Sequence, residues 1–154
     1  MVEQKQDFYH VSLKLLLKNS EGHVLILKAP EEFSSMSGFY DVPGGRIDRD
    51  EFETKLEIIL RREVKEEIGD VDVRINLNPI AVSRGMIHAS RRRDAGKEDI
   101  HIFYVFFEAD FKGGDVRISD EHAGHEWVSL TGINRKKYFT GGILEGIEMF
   151  LAHP

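Results

Sequence analysis

Cysteine is absent from the 154 residues. That excludes disulfides, iron–sulfur clusters and thiolate zinc sites, each of which needs a sulfur ligand. Positive charge is also in deficit: 21 Lys and Arg face 27 Asp and Glu, a formal net charge of -6. So acidic a chain lacks the basic face that binding along a nucleic-acid polymer requires. A small phosphate compound remains within reach through a metal ion. Long apolar runs are missing as well. No stretch approaches the roughly 20 residues of a membrane helix, and the start, MVEQKQDFYH, has neither the basic cap nor the apolar run of a signal peptide. The expected compartment is the cytoplasm, with no membrane partner. No repeat, linker or low-complexity segment divides the chain, so residues 1–154 are expected to form one domain.

Hydrophobic residues make up 41% of the chain, enough to build a core. Residues 8–18 alternate, with Val11, Leu13, Leu15 and Leu17 on one face, and predict a strand. Asn19–Gly22 predicts a turn, and residues 23–29 the second half of a hairpin. A loop is expected over 30–38, a short strand over 39–42, and a second loop at Pro43-Gly44-Gly45-Arg46. From about Glu53 to Ile68 the period becomes helical, with Leu56, Leu60, Val64 and Ile68 on one stripe and Gly69 placed as a left-handed cap. Residues 70–77 alternate again until Pro79 interrupts them, and Ile80–Val82 can resume the strand. Residues 84–98 predict a long polar loop. Residues 99–109 predict a central, doubly buried strand, Lys112–Asp115 a turn, His125–Leu130 a strand, and Ile143–Leu151 a helix. These elements imply an α+β class: a mixed sheet flanked by at least two helices.

The most informative stretch is Arg62-Glu63-Val64-Lys65-Glu66-Glu67-Ile68-Gly69. Residues three and four apart are neighbours on a helix, so Glu63, Glu66 and Glu67 gather on one side. Like charges repel there, and the negative end of the helix dipole disfavours anions. Something cationic is needed. Three carboxylates offer oxygen ligands to a hard divalent ion such as magnesium, which leaves coordination positions for phosphates. The plainer reading is a solvated charged face. The Pro-Gly-Gly loop ahead of the helix, which lets backbone approach a ligand closely, weighs against that.

The stretch from Gly45 to Gly69 resembles the Nudix box, G-x5-E-x7-R-E-U-x-E-E-x-G-U, where U is a bulky apolar residue. Gly45 and Glu51 match its first half, and Arg62 to Gly69 match its second half. Two departures stand out. Ten residues separate Glu51 from Arg62 where the family has seven, and Asp70 occupies the last U position. Three extra residues turn a helix by about 300°, nearly restoring its face. If the helix starts at the Thr54/Glu57 capping box rather than at Asp50/Glu53, the insertion lengthens only the loop.

The resemblance implies an α/β/α sandwich that hydrolyses the pyrophosphate linkage of a nucleoside diphosphate derivative, with Mg2+ or Mn2+ as cofactor. It implies Glu63, Glu66 and Glu67 as metal ligands, with a carbonyl of Gly44 or Gly45 as a further ligand. Glu66 is a ligand or part of the base system, and Arg62 orients a box glutamate. Glu121, in a loop before the Trp127 strand, is a candidate ligand or general base. Arg46 and Arg92 are candidates for gripping substrate phosphates. His122 and His125 read as a plain loop pair, and Trp127 as a core residue. Many relatives are dimers, and the apolar C-terminal helix is the element expected to serve a homodimer. A (d)NTP or oxidised nucleotide is the expected substrate. An ADP-ribose or nucleotide-sugar pyrophosphatase, or a non-catalytic nucleotide-binding module on the same fold, are the alternatives.

Overall fold

A computed structural model describes residues 3–31, 36–92 and 96–153. Its strands are β1 (His10–Lys18), β2 (Val24–Lys28), β3 (Tyr40–Asp41), β4 (Gly44–Arg46), β5 (Asp72–Ile87), β6 (Ile100–Gly113) and β7 (Gly124–Val128). Its helices are α1 (Leu56–Ile68), α2 (Arg135–Tyr138) and α3 (Gly141–Ala152). The main sheet path runs β3-β2-β1-β6-β5, with β4 paired to β1 and β7 to β2. Only β1 and β6 run parallel, so the sheet is mixed as expected.

The alternation in β1 creates two cores. Leu13, Leu15 and Leu17 pack with Leu25, Leu27 and Phe107 against Ile59, Leu60, Val64 and Ile68 of α1. Leu16 on the opposite face packs with Ile26 and Phe106 against Ile143 and Ile147 of α3. One helix therefore covers each face, which makes the α/β/α sandwich. Full burial of each such side chain contributes about 1.5–3 kcal/mol. The apolar stripe of α3 faces this core, and its Gly142 and Gly146 lie so close to Tyr104 and Phe106 that a Cβ at either would collide with a ring. No described helix is long and apolar enough to cross a membrane.

The hairpin holds only at its base, where Lys18 faces Val24. Beyond it the sheet forks. β1 takes β4 as its neighbour, while β2 takes β3 and β7. The expected loop at Pro43–Arg46 is thus in part a strand. Lys14, Leu13 and Ser12 pair with Gly44, Gly45 and Arg46, and only glycine fits the first of these places. Gly44 sits at φ +135, and a Cβ there would run into the Leu13 carbonyl.

Four other expectations give way. Residues 84–87, read as loop, extend β5, because β6 offers them partners from Arg84↔Phe103 to Ile87↔Ile100. The interruption at Pro79 is absorbed as a register shift between Asn76 and Ala81, so the strand continues past it. β6 runs on to Gly113 where a turn was expected. Neither expected capping box starts α1. Asp48 donates its backbone N–H to Glu51 Oε1 at 2.9 Å around a 3-10 turn at Arg49–Glu51, and α1 begins at Leu56. The extra residues lengthen the loop and leave the helix intact. Gly69 ends it at φ +90, its N–H on the Lys65 carbonyl.

Candidate active site

The fork in the sheet brings four segments together: β4, α1, β3 and the 117–122 segment after β6. On α1 the buried face is not purely apolar. Glu63 and Glu67 lie on it beside Ile59, Leu60, Val64 and Ile68, whereas Leu56, expected in the stripe, is exposed. Glu66 points outward, with 59% of its side chain exposed. Burying two carboxylates one helical turn apart is costly, because each loses its water and feels the other's charge. Burial, reinforced by the charge of Glu67, pushes the Glu63 carboxyl up to about 7. Burial also raises Glu67, against the pull of His122 and Lys14.

One guanidinium is shared among four acids. Arg62 meets Glu51 through two bonds, Nε to Oε2 at 2.9 Å and Nη2 to Oε1 at 2.7 Å. It also touches Glu63 at 3.0 Å, Glu66 at 3.1 Å and Asp48 at 3.9 Å. The two-pronged pair with Glu51 lowers that carboxyl and raises the arginine. Glu51, the position most affected by the insertion, is therefore the partner that fixes Arg62.

Two groups that the sequence left in the background belong here. Lys14 of β1 is buried, and its Nζ reaches Asp41 Oδ2 at 2.9 Å across the fork. Burial alone would lower its pKa, but Asp41 and then Glu67 outweigh that and hold it near 12. A lone lysine inside the Leu13–Leu17 run was the available signal. His122 does not behave as a plain loop residue. Its Nε2 lies 3.3 Å from Glu67 Oε2, while His125 is exposed on β7. The adjoining segment is laced to the end of α1, Arg117 and Ser119 donating their N–H groups to the Ile68 and Glu67 carbonyls at 2.8 and 3.0 Å. Those bonds satisfy two of the carbonyls a helix end leaves open. Glu121 is itself exposed, with its N–H on Ser119 Oγ at 3.4 Å.

Among the described residues no three His, Asp or Glu side chains form a ready-made metal cage. The donor set nonetheless suits a hard divalent ion. The Glu63 carboxylate lies over Gly45, where a Cβ would come within 2.5 Å of all three carboxyl atoms. Carboxyl oxygens of Glu63 thus meet a backbone stripped of side chain, and the arginine that touches Glu63 is shared with Glu51, Glu66 and Asp48.

The phosphate-gripping candidates bond to other groups. Arg46 contacts His10 Nδ1 at 3.1 Å, and Arg92 Nη1 donates to the Glu98 carbonyl in its own loop at 2.9 Å. Arg93 and Asp94 fall outside the described residues. Trp127 is core as expected, set edge-on to Phe111 with centroids 5.2 Å apart. Tyr40 faces Tyr138 at 5.4 Å and donates its hydroxyl to Glu126. A cleft of about 680 Å³ near Lys18, Arg74 and Asp110 includes none of the box carboxylates.

A mixed sheet between two helices is the α/β/α arrangement the box resemblance implies. A family model for the NUDIX domain matches residues 8–144. The chain belongs to the Nudix family. It is 28% identical over 112 residues to the nucleoside triphosphatase NudI of Escherichia coli O81 (strain ED1a), covering 73% of this chain and 77% of that protein. Among solved structures, the MutT protein of Methanosarcina mazei Go1 superposes with a TM-score of 0.70 at 25% identity, over 94% of each chain. An ADP-ribose pyrophosphatase from Streptococcus suis 89-1591 reaches 0.62 at 18% identity, over 94% of this chain and 91% of that one. This second likeness is one of fold.

Proposed function

We propose that this protein hydrolyses nucleoside triphosphates or a similarly compact nucleotide, with a divalent cation bound between α1 and the Gly44–Gly45 strand. The class is that of a Nudix pyrophosphohydrolase acting on nucleotide derivatives. The triphosphate is favoured because the chain matches a nucleoside triphosphatase over most of both lengths. One observation supports the catalytic reading above all. Glu63 and Glu67 are buried at high electrostatic cost, and the cations set against them are a shared arginine, an imidazole and Lys14, which is itself paired with Asp41.

The residues divide the work as follows. Glu63, Glu66 and Glu67, with a carbonyl of Gly44 or Gly45, would hold Mg2+ or Mn2+. Such an ion neutralises phosphate charge, polarises the phosphorus–oxygen bonds and lowers the pKa of water. Arg62, pinned by Glu51, orients Glu63 and Glu66. Glu66 and Glu121, both exposed, are the carboxylates we propose take a proton from attacking water. A cytoplasmic location suits a nucleotide substrate.

A panel of nucleoside triphosphates, oxidised nucleotides, ADP-ribose and nucleotide sugars, incubated with magnesium or manganese and read by mass, tests the proposal. Release of pyrophosphate or phosphate from a triphosphate is expected. Turnover of ADP-ribose alone would replace the triphosphate reading. Tight nucleotide binding without turnover on any substrate would make the protein a binding module instead.

A further inference from the structure

His122 is buried to within 12% of its side-chain surface, and the Glu67 carboxylate beside it is 8% exposed. Among the described residues its Nδ1 is buried and meets no partner. Its Nε2 has one polar neighbour, Glu67 Oε2 at 3.3 Å. A neutral imidazole carries one N–H and one lone pair, and the surroundings decide which nitrogen has which. With the proton on Nδ1, a buried donor would lack any acceptor and the Nε2 lone pair would face a carboxylate oxygen. With the proton on Nε2, the donor meets Glu67 and only a lone pair is left unmet. The second arrangement wins on both counts.

We propose that His122 is a positioning residue, donating its Nε2 proton to one oxygen of Glu67 and so holding that carboxylate with its other oxygen free for a divalent ion. The role of Glu67 as a ligand rests on the function proposed above; the tautomer and the contact do not. The backbone bonds from Arg117 and Ser119 to the end of α1 keep the imidazole in place, so the segment bearing Glu121 also fixes the box helix. Fixing the orientation of a ligand in this way characteristically changes metal affinity by about 10- to 100-fold.

Two measurements test this. In metal-free protein labelled with 15N-histidine, long-range 1H–15N correlations should show a proton on His122 Nε2. A bare Nε2 with the proton on Nδ1 overturns the assignment. Calorimetric titration with Mn2+ and Mg2+ then compares wild type, His122→Leu and His122→Gln, the last of which keeps an N–H near the Nε2 position. His122→Leu should bind at least about tenfold more weakly, and His122→Gln should recover most of the loss. Wild-type affinity in His122→Leu, or no recovery in His122→Gln, refutes the role. Histidine 14N coupling in spin-echo spectra of the Mn2+-loaded protein also refutes it, since the ring would then be a direct ligand. If the wild type binds neither ion, the proposed function fails while the tautomer measurement still decides the contact.

Discussion

Replacing Lys14 by Met should destabilise the protein by about 3 kcal/mol. The lysine bridges the fork: its Nζ is 2.9 Å from Asp41 Oδ2, with side-chain exposures of 7% and 19% for the pair. Breaking a buried pair from one side costs about 3–5 kcal/mol, because the surviving charge stays desolvated. Asp41 keeps the Val42 N–H, at 2.7 Å from Oδ1, and some water, so the lower end applies. For a chain of this size that is a fall in Tm of about 6–12 °C. Urea denaturation gives the free energy directly, and an unchanged m-value would show that both proteins unfold from the same compact state. Lys14→Met/Asp41→Leu should recover part of the loss, since Asp41 is then no longer an orphaned charge. The pH dependence has a definite sign. The folded pKa of Lys14 is raised from 10.5 to about 12. Its contribution, about 2 kcal/mol from that shift, is complete below pH 10.5 and disappears as pH rises through 12. The gap between wild type and Lys14→Met should narrow over that window. A single variant as stable as wild type, or a double variant no better than the single one, would refute the reasoning.

Glu67→Gln and Glu66→Gln should each lower turnover by orders of magnitude with unchanged circular dichroism; wild-type rates in both would remove the box carboxylates from the chemistry. Glu51→Gln breaks the two-pronged hold on Arg62 and should lower both kcat, by about tenfold, and stability, by about 1–2 kcal/mol; steady-state kinetics and urea melts check this, and a neutral result would make Glu51 a bystander. Gly45→Ala places a methyl against the Glu63 carboxylate and should weaken Mn2+ binding in calorimetry while the fold persists; unchanged affinity would detach Gly45 from the metal site. Glu121→Gln separates the two proton-accepting candidates: a rate within a few-fold of wild type leaves Glu66.

The parts of this protein that were legible in its sequence are those whose determinants lie close together in the chain. The helical period gathered Glu63, Glu66 and Glu67 on one side without any tertiary information, and packing then buried Glu63 and Glu67 while leaving Glu66 exposed. The two-residue period of β1 likewise put Leu13, Leu15 and Leu17 on one core face. Strand ends were less legible, because a strand extends as far as its neighbour offers partners. Residues 84–87 are polar enough to read as loop, yet β6 pairs with each of them. The same holds for Gly44–Arg46, which β1 recruits once β2 has turned away.

Pairing across the fork was beyond reach for a related reason. Lys14 meets Asp41 across 27 residues, and His122 meets Glu67 across 55. Neither contact has a local signature, since both depend on where the sheet divides. A lysine in an apolar strand announces only that a partner must exist, because an unpaired buried ammonium is too costly to keep. The sequence narrows the candidates to acidic residues, and the fork selects among them. Arg62 shows the opposite limit. Its need for a carboxylate was evident from the motif, but the insertion obscured which one would answer. The geometry answers with Glu51, because a loop lengthened ahead of α1 can still fold back through the Asp48–Glu51 turn onto the helix. The tolerance of this site to three extra residues is therefore a property of that turn, which absorbs the added length and preserves the contact.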